Sequence, residues 1–343
     1  MRAQSSSFDV ARMVCELGKM IGTRARKAYQ PHHEQVVLRL NQKGKPATDL
    51  VIVRGKRIYL SQRDRPMPTN PSPFAMILRK HLSNSRLIEV KQLGFDRVIS
   101  LTFEHGGGQL KLIIELFRDG NVVLLDGNDE IIQPLTHAKY SSRSLKRGEN
   151  YTPPPATVDP RTLNQSDLNN ILDSSDHSLI RTLASRVNLG RIYGNAISTS
   201  AEIGLDEPAN SLDKKQREKL SNSMKKLLTE LAEGDCSYLW FNDKKSLDNW
   251  KNANNNPVAR DLASVEIEEF SPISLPFMNE GLRVKIESLS GAYDAIFGAY
   301  DAIAYIRREE EKLVAAGEDD EEQRAKLNRR AEQQKAAIER FES

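Results

Sequence analysis

An aspartate and an arginine stand next to each other at Asp96 and Arg97, within the segment LGFDRV. A guanidinium can grip a phosphate or stack on a base, and a carboxylate can accept a hydrogen bond from a base edge or a 2′-hydroxyl. The same two side chains can also do no more than order the fold around them. One Asp-Arg pair lacks the nucleophile and adjacent base of a catalytic site. The residue types therefore favour binding over bond-making chemistry.

A short basic helix is predicted upstream of this pair. Over residues 74–82 apolar side chains recur at helical spacing, and Ser72 precedes a proline as an N-cap would. The other face of this helix carries Arg79 and Lys80, and Arg86 follows it. We expect Arg79, Lys80 and Arg86 to be backbone contacts for an RNA.

Two strands are predicted after the helix. The hydrophobic period drops to two beyond Leu87, and the turn-like Leu93-Gly94 leads into a second strand over residues 98–103. Asp96 and Arg97 then lie where the chain enters that strand, next to the basic helix. A polyanion is the natural partner for such a surface.

Charge is unevenly distributed along the 343 residues, whose net charge is only +3. Residues 23–97 hold 16 Lys or Arg against 5 Asp or Glu, which is a local charge of +11. Residues 1–22 add +1, so residues 98–343 sum to −9. A basic N-terminal part on a nearly neutral chain indicates a nucleic-acid face, with a solvated surface that has no partner as the alternative.

Asp9 has two interpretations. Ser6 and Asp9 have the spacing of a capping box at the start of a helix predicted over residues 5–21. In that interpretation the carboxylate complements the positive end of the helix, and residue chemistry alone favours this over a functional role.

A tight turn at Asn188-Leu189-Gly190 is predicted between two short helices. Such a helix-hairpin-helix offers backbone amides and a helix N-terminus to a phosphate, which makes Asn188 and Gly190 candidate RNA contacts. Many turns of this kind only pack two helices together, and that alternative stays open.

The fold class that these patterns indicate is α+β, with five segments. We predict an antiparallel β-rich domain over 1–150, a Pro-rich linker and connecting helix over 151–175, and a helix-hairpin-helix domain over 176–235. A mixed segment with short strands is predicted over 236–290, and a coiled-coil helix over 291–343. The heptad helix has no visible partner, so self-association through it is a further expectation.

Several kinds of chemistry have no sequence signal. The histidines are scattered apart from His32-His33, no CxxC occurs, and no Walker, dinucleotide or GxSxG motif is present, so we expect no metal, no cofactor and no enzyme. Two cysteines fit a reducing cytoplasm, and no run approaches the roughly 18 apolar residues of a membrane span. The N-terminal residues lack a signal-peptide core, so a cytoplasmic protein with no membrane association is expected.

Several separated stretches resemble the NFACT family, which includes the eukaryotic nuclear export mediator factor, the bacterial RqcH proteins and archaeal relatives. These stretches are SSFDVARMVCEL, KAYQP, FAMILRKHLSNSRLIEVKQLGFDRVISLTF, ELFRDGNVVLLDGNDEII and LASRVNLGRIYGNAISTSAEIGLDE. The resemblance runs from about residue 6 to the end and is closest to an archaeal-type member, of which this chain would hold the N-terminal and middle part. It implies an N-terminal domain similar to that of formamidopyrimidine-DNA glycosylases.

The resemblance also implies a function and site residues. Members act in ribosome-associated quality control: they bind the large ribosomal subunit with an obstructed peptidyl-tRNA and recruit aminoacyl-tRNA, typically for alanine, for template-free C-terminal tailing. The peptide bonds are made by the ribosome. The family residues needed for tailing match Asp9 in SSFD and Asp96-Arg97 in LGFDRV. The resemblance thus favours tRNA contact over the structural interpretation at all three positions.

Two rival functions belong to other classes. A DNA-glycosylase-like protein would need an N-terminal proline nucleophile and zinc-finger cysteines, whereas this chain reads Met1-Arg2-Ala3 and has no such cysteines. That leaves a nucleic-acid-binding protein without catalytic activity. Adhesion is the second rival, because bacterial relatives have been called fibronectin-binding, and the missing signal peptide weighs against it.

Overall fold

A nine-stranded antiparallel sheet forms the N-terminal part of the protein, in a computed structural model that describes residues 1–253, 265–315 and 328–333. The strand order is β4-β3-β2-β1-β5-β6-β7-β8-β9. The strands are β1 (Arg24–His32), β2 (Gln35–Asn41), β3 (Thr48–Val53), β4 (Arg57–Ser61), β5 (Arg86–Gln92), β6 (Val98–His105), β7 (Gly108–Glu115), β8 (Asn121–Leu125) and β9 (Ile131–Pro134), and a small separate hairpin follows, β10 (Ala138–Lys139) with β11 (Ser144–Leu145).

This architecture confirms the predicted α+β class with an antiparallel β-rich N-terminal domain. Arg54-Gly55-Lys56 between two apolar runs predicts the hairpin that β3 and β4 form, and the three glycines at 106–108 predict the hairpin tip between β6 and β7. The alternating patterns of residues 1–150 predict about seven strands, whereas eleven form, because the short β9, β10 and β11 have little periodicity of their own. In β2, Val36, Val37 and Leu38 are all buried, so both faces of this strand are covered.

The sheet curves so strongly that two of its turns are in contact. Gly55, between β3 and β4, and Gly120, between β7 and β8, both have positive φ, at 67° and 58°. A Cβ on Gly55 would lie 2.4 Å from the carbonyl oxygen of Arg118, and one on Gly120 would lie 2.2 Å from the backbone nitrogen of Gly55. Only glycine fits such an approach. The two strand pairs therefore enclose one apolar core between them.

Two helices pack on this sheet. Helix α1 (Ser7–Gly18) begins at a capping box made by Ser6 and Asp9, as the spacing predicted. Helix α2 (Pro73–Leu82) has Ser72 as its N-cap, which also confirms the prediction. The predicted extension of α1 to Ile21 is wrong, because residues 19–22 form turns and Ile21 is 49% exposed.

A second apolar core holds the helices that follow residue 160. They are α3 (Gln165–Asp173), α4 (Leu179–Ser185), α5 (Gly190–Ala201) and α6 (Lys214–Glu233). Asn188 and Gly190, with φ of 62° and 70°, make the sharp turn between α4 and α5. The sequence predicts the second of these helices over residues 191–197, whereas α5 begins one residue earlier, at Gly190, and continues to Ala201.

Residues 236–253 and 265–288 lie between the two cores. Strand β12 (Ser237–Phe241) is central, flanked by β13 (Ile267–Ser271) and β14 (Arg283–Ile286), and helix α7 (Lys244–Asn252) packs against it. Leu239 and Phe241 belong to the first core, whereas Trp240 belongs to the second. This small sheet therefore joins the β-rich and helical parts.

The C-terminal helix differs from the prediction. Residues 289–315 form two helices, α8 (Leu289–Ala302) and α9 (Ala304–Ala315), with a break at Ile303. A free coiled-coil helix is wrong for residues 291–302, because the Arg57 guanidinium pairs with the buried Asp301 carboxylate (Nε to Oδ2, 2.9 Å) and the Tyr59 hydroxyl donates to it at 2.8 Å.

Both ends of α8 are attached to the first part of the chain. At its N-terminus the Glu16 carboxylate accepts the backbone N–H of Ser290 at 2.9 Å. Leu327, Ile338 and Phe341, the distal heptad positions, lie outside the described residues. Among the residues that are described, no helix is both long and apolar enough to cross a bilayer.

Candidate nucleic-acid interface

A cavity of about 410 Å³ opens where the β-rich part meets the helical part. It unites three of the predicted residues, Asp96, Arg97 and Asn188, which are up to 92 positions apart in sequence. The remaining lining residues are Ser7, Phe117, Arg118, Tyr140, Ser141, Ser142, Arg143, Pro154, Pro155 and Thr157. Its volume falls within the roughly 300–1,000 Å³ typical of small-ligand sites.

The turn that carries Asp96 and Arg97 is held from several sides. The Asp96 carboxylate accepts the backbone N–H of Arg97 at 2.7 Å, and the Arg97 carbonyl accepts that of Leu116 at 2.8 Å. Phe95 is fully buried and lies edge-to-face on Phe8, with ring centroids 5.0 Å apart. The Asp96-Arg97 backbone is thus fixed while both side chains stay half-buried at the cavity.

Asn188 connects this turn to the helical part. Its Nδ2 donates to the carbonyl oxygens of Phe95 at 3.0 Å and Val158 at 2.9 Å, and lies 3.1 Å from Oγ1 of Thr157. Residues 153–158 therefore lie against the cavity as an ordered wall and do not act as a free linker. Asn188 is a positioning residue in this arrangement, and its backbone conformation starts helix α5 beside the cavity.

A buried ion pair supports another wall. The Arg143 guanidinium donates to the Glu115 carboxylate (Nη2 to Oε2, 3.0 Å), with 4% and 0% of the two side chains exposed. The Tyr151 hydroxyl donates to the same carboxylate at 2.9 Å, and burial followed by the Glu115 charge raises the pKa of Tyr151. The Arg143 guanidinium therefore has its partners inside the protein and is not free to bind a ligand.

Two other guanidiniums at the cavity are available. Arg97 and Arg118 form no side-chain hydrogen bond or ion pair within the described part of the chain. The Tyr140 ring lies 4.7 Å from the Arg143 guanidinium. Burial and then the Glu115 charge raise the pKa of Tyr140, so its hydroxyl stays a donor near neutral pH. Two free cations, an aromatic ring and the Asp96 carboxylate together suit a nucleotide.

Asp9 lies outside this cavity. Its side chain is 1% exposed and pairs with the Arg2 guanidinium, which also donates to Glu269 (3.0 Å) and to the carbonyl of Phe270 (2.8 Å). Burial is the largest single influence and opposes the charge on Arg2, but the Asp9 carboxylate together with Tyr193 and Tyr293 raises the pKa of Arg2 well above its ordinary value. The Asp9 carboxylate therefore has its partners inside the protein.

One side chain nevertheless connects the Asp9 helix to the Asp96 turn. The Gln92 amide donates to the carbonyl of Ser7, in the first turn of α1, at 3.0 Å and to the carbonyl of Asp96 at 2.9 Å. Ser7 itself lines the cavity. Asp9 caps the helix whose first turn forms part of the wall.

The other predicted contacts lie elsewhere. Arg86 begins β5 and is opposite Glu104, whereas Asp96 follows the far end of the same strand. Seven residues of strand span roughly 20 Å, so the expectation that Asp96 and Arg97 lie next to the basic helix is wrong. Arg79 donates to the carbonyl of Ala28 at 2.8 Å, while Lys80 is exposed. Gly190 is exposed and lies two positions after Asn188, outside the cavity lining.

Sequence reasoning missed Arg118, Tyr140 and the serines at 141 and 142. Arg118 has a positive φ of 50° in the turn before Gly120, where only the turn signal was evident. The β10–β11 hairpin that presents Tyr140 has strands of two residues, too short for a periodic pattern.

A second cluster contains groups that can ligate metals. His32, His33 and Glu311 place their ligand atoms within 4.8 Å of one another. His32 Nδ1 lies 3.3 Å from the backbone N–H of Glu34, and its Nε2 lies 3.0 Å from the Glu311 carboxylate. With Nδ1 as acceptor, Nε2 carries the proton and donates to Glu311. This hydrogen bonding accounts for the cluster without an ion.

Comparison with known proteins agrees with this architecture. The model of the family described as NFACT N-terminal and middle domains matches residues 6–343. The archaeal Rqc2 homolog aRqcH of Methanocaldococcus jannaschii is 31% identical over 259 residues, which are 72% of this chain and 38% of that protein. The human ribosome quality control complex subunit NEMF is 35% identical over 127 residues, which are 37% of this chain and 12% of that protein.

A solved structure shares the fold. The N-terminal part of the fibronectin/fibrinogen-binding protein from Streptococcus suis superposes with a TM-score of 0.62 and 22% identity, covering 85% of this chain and 98% of that one. Fold and family model together define a protein of the NFACT class. This chain belongs to that family through its N-terminal and middle domains, and spans well under half the length of the curated relatives described above.

Proposed function

We propose that this chain is the tRNA-binding part of a cytoplasmic ribosome-associated quality control factor. The observation that carries the proposal is the convergence of Asp96, Arg97 and Asn188 on one cavity that also holds the unpaired Arg118. Relatives named as ribosome quality control proteins support the biological setting. The factor binds the large subunit with its obstructed peptidyl-tRNA and brings in aminoacyl-tRNA, for alanine, to tail the nascent chain.

The cavity residues have separate roles in this proposal. Arg97 and Arg118 bind phosphate or stack on a base, and the Asp96 carboxylate accepts a hydrogen bond from a base edge or a 2′-hydroxyl. Tyr140 offers a ring for stacking. A pocket of this composition takes an unpaired nucleotide, since a base within a duplex has no free face.

Asp9 acts through position in this proposal. Its carboxylate caps α1 and holds Arg2, so RNA does not touch it directly. Loss of the carboxylate frees the first turn of α1, which Gln92 joins to the Asp96 turn. A tailing defect on replacing Asp9 would thus arise from a displaced cavity wall.

The chain positions tRNA and makes no bond itself in this mechanism. The ribosome's own centre joins the amino acids, and the contribution of the protein is to raise the local concentration of the correct tRNA in one orientation. Enzymatic groups are therefore not required of the cavity.

The test is capture of total tRNA followed by sequencing of the bound fraction, for the wild type and for Arg97→Ala. Lys226→Ala is the matched control, because Lys226 is exposed on α6 and its replacement also removes one positive charge. We expect enrichment of alanine tRNA by the wild type and the control, and loss of enrichment in Arg97→Ala with an unchanged melting temperature. A lower melting temperature with undiminished enrichment would mean that Arg97 only supports the fold.

A further inference from the structure

A group of six cations occupies the end of the sheet opposite the cavity. We call this group the basic edge, and it consists of Arg24, Arg26, Lys43, Lys45, Lys80 and Arg86. The strand register places Arg24 opposite Asn41 on one side and opposite Arg86 on the other. The β2–β3 loop, the start of β1, the start of β5 and the last turn of α2 therefore meet here, and all six residues are exposed.

Most of these charges have no partner within the protein. Arg26, Lys43, Lys45 and Lys80 make no side-chain hydrogen bond or ion pair in the described residues. Arg86 pairs with Glu104 at 2.8 Å, with about half of each side chain exposed. At the cavity end Arg143 differs, since it is enclosed with Glu115, whereas Arg97 and Arg118 are also unpaired within the described residues.

The proximity of these like charges in the basic edge destabilises the folded state. Arg24 lies directly across from Arg86 in neighbouring antiparallel strands, and like charges at that position repel. Arg24 gains only a hydrogen bond to the carbonyl of Asn84, at 2.7 Å. Of the six cations, Arg86 alone has an acidic partner within the described residues, so an external anion is the partner that this concentration of charge fits.

The basic edge has a boundary. The β8–β9 turn at the same end of the sheet carries Asp126, Asp129 and Glu130. It lies three strands beyond β5 in the sheet order, which is at least about 14 Å at the spacing of paired strands. An anion is thus confined to the side formed by β1, β2 and β5.

We propose that the basic edge is a second RNA-docking surface, which binds phosphodiester backbone without reading sequence. This inference rests on the proposed function and adds to it a separate contact, about 20 Å from the cavity along β5. The six side chains are all donors, and they include no aromatic ring for stacking and no acceptor for base edges. They can neutralise phosphates, but they cannot distinguish bases.

Two other polyanions fit less well. A membrane surface would need a broad apolar face beside the cations, and the exposed large apolar side chains on the neighbouring elements of the described residues are Ile21 and Met76, which lie on separate segments. An acidic peptide would gain from a groove with defined side-chain pockets, whereas the basic edge presents six exposed side chains from four separate segments.

The experiment measures the salt dependence of binding to a double-stranded RNA hairpin that contains no tRNA sequence. The test variant is Arg26→Gln, Lys43→Gln and Lys45→Gln together, which removes three unpaired exposed cations. The control variant is Lys215→Gln, Lys225→Gln and Lys226→Gln, which removes three exposed lysines of α6. We expect the slope of log affinity against log salt to fall by about two to three in the test variant and to stay unchanged in the control.

The outcomes of this experiment can be distinguished from those of the tRNA-capture test of the cavity. Equal slopes in the two triple variants would overturn the inference, and so would edge-dependent binding to phosphatidylserine vesicles that exceeds binding to the hairpin. If the test variant still enriches alanine tRNA, the basic edge does not select among tRNAs, as the inference expects. If Arg97→Ala keeps its enrichment while the edge slope falls, the cavity assignment fails and the backbone-binding surface stands.

Discussion

The two ends of the β5–β6 hairpin are built in opposite ways. At the cavity end Asp96 and Arg97 lie on a turn held by Asn188, and the neighbouring Arg143 is enclosed with Glu115. At the other end Arg24 faces Arg86 and unpaired lysines surround them. The same two strands therefore carry a preorganised site and an unneutralised surface.

This difference separates two tasks in RNA binding. Preorganised groups discriminate between ligands, because little ordering remains to be done when the right one binds. Exposed cations supply affinity that is independent of sequence and sensitive to salt. The proposed function, in which one tRNA is selected and a larger RNA assembly is held, requires both tasks.

The largest expected effect comes from breaking one ion pair at each end. Glu115→Ala leaves the Arg143 guanidinium buried without its counter-charge, and we expect a loss of about 3–5 kcal/mol in the free energy of unfolding. Glu104→Ala breaks the exposed pair with Arg86, and the expected loss is below about 1 kcal/mol. Urea unfolding of both variants checks the contrast. Equal losses would mean that the cavity wall is no more rigid than the edge.

A smaller effect is expected from two asparagines that both have positive φ, Asn188 at 62° and Asn84 at 63°. Glycine accepts this conformation, so Asn→Gly removes the side chain without straining the backbone. Asn188→Gly loses the contacts to Phe95, Thr157 and Val158 and should cost about 1–3 kcal/mol.

Asn84→Gly is the control, because the Asn84 side chain makes no hydrogen bond within the described residues. Its backbone carbonyl accepts from Arg24 and its backbone N–H donates to the carbonyl of Ala25, and glycine keeps both groups. Its stability should change little. The melting temperatures of the two variants, measured together with their tRNA capture, show whether the loss at Asn188 exceeds that at Asn84. A cost at Asn84 as large as that at Asn188 would remove the distinction between a fastened turn and an ordinary one.

The smallest effect is a shift in one pKa. Burial, and then the positive charges of Lys80, Arg147 and His105, lowers the pKa of His81 at the end of α2. The unfolded chain therefore takes up a proton at higher pH than the folded one, so the stabilising contribution of neutral His81 is present above the unfolded pKa and is lost as pH falls towards the folded one.

RNA phosphates at the basic edge should raise the pKa of His81 towards its ordinary value, and hairpin affinity should increase as pH falls through this range. Proton NMR titration with and without the hairpin measures the shift, and His81→Gln assigns the signal. His32, at the cavity end of β1, should keep its lowered pKa and serves as the internal control. An unmoved His81 signal would mean that the hairpin binds elsewhere.

Local elements were predictable because their signals are local. The Ser72 cap of α2 and the hairpin around Arg54–Lys56 follow from a few neighbouring residues. The capping box at Asp9 was predictable for the same reason, whereas its second role with Arg2 and Glu269 depends on β13, which comes from the far end of the chain.

The cavity was only partly predictable. Asp96, Arg97 and Asn188 could be named individually, but their meeting depends on the rolling of the sheet and on the course of residues 153–158. Arg118 is placed by the contact between Gly55 and Gly120, which no periodicity reveals. Long-range closure therefore decides which candidates share a site.

The attachment of α8 has a mechanical consequence. One end of this helix is fastened through Glu16 to α1, and the other through Asp301 to Arg57 and Tyr59 of β4. A load on α8 would therefore pass into α1 and β4 together instead of into one end of the helix. Helix α9 follows the break at Ile303 and has its own attachment, where the Glu311 carboxylate lies 3.0 Å from Nε2 of His32 in β1. The two helices would thus transmit force to the same sheet through separate strands.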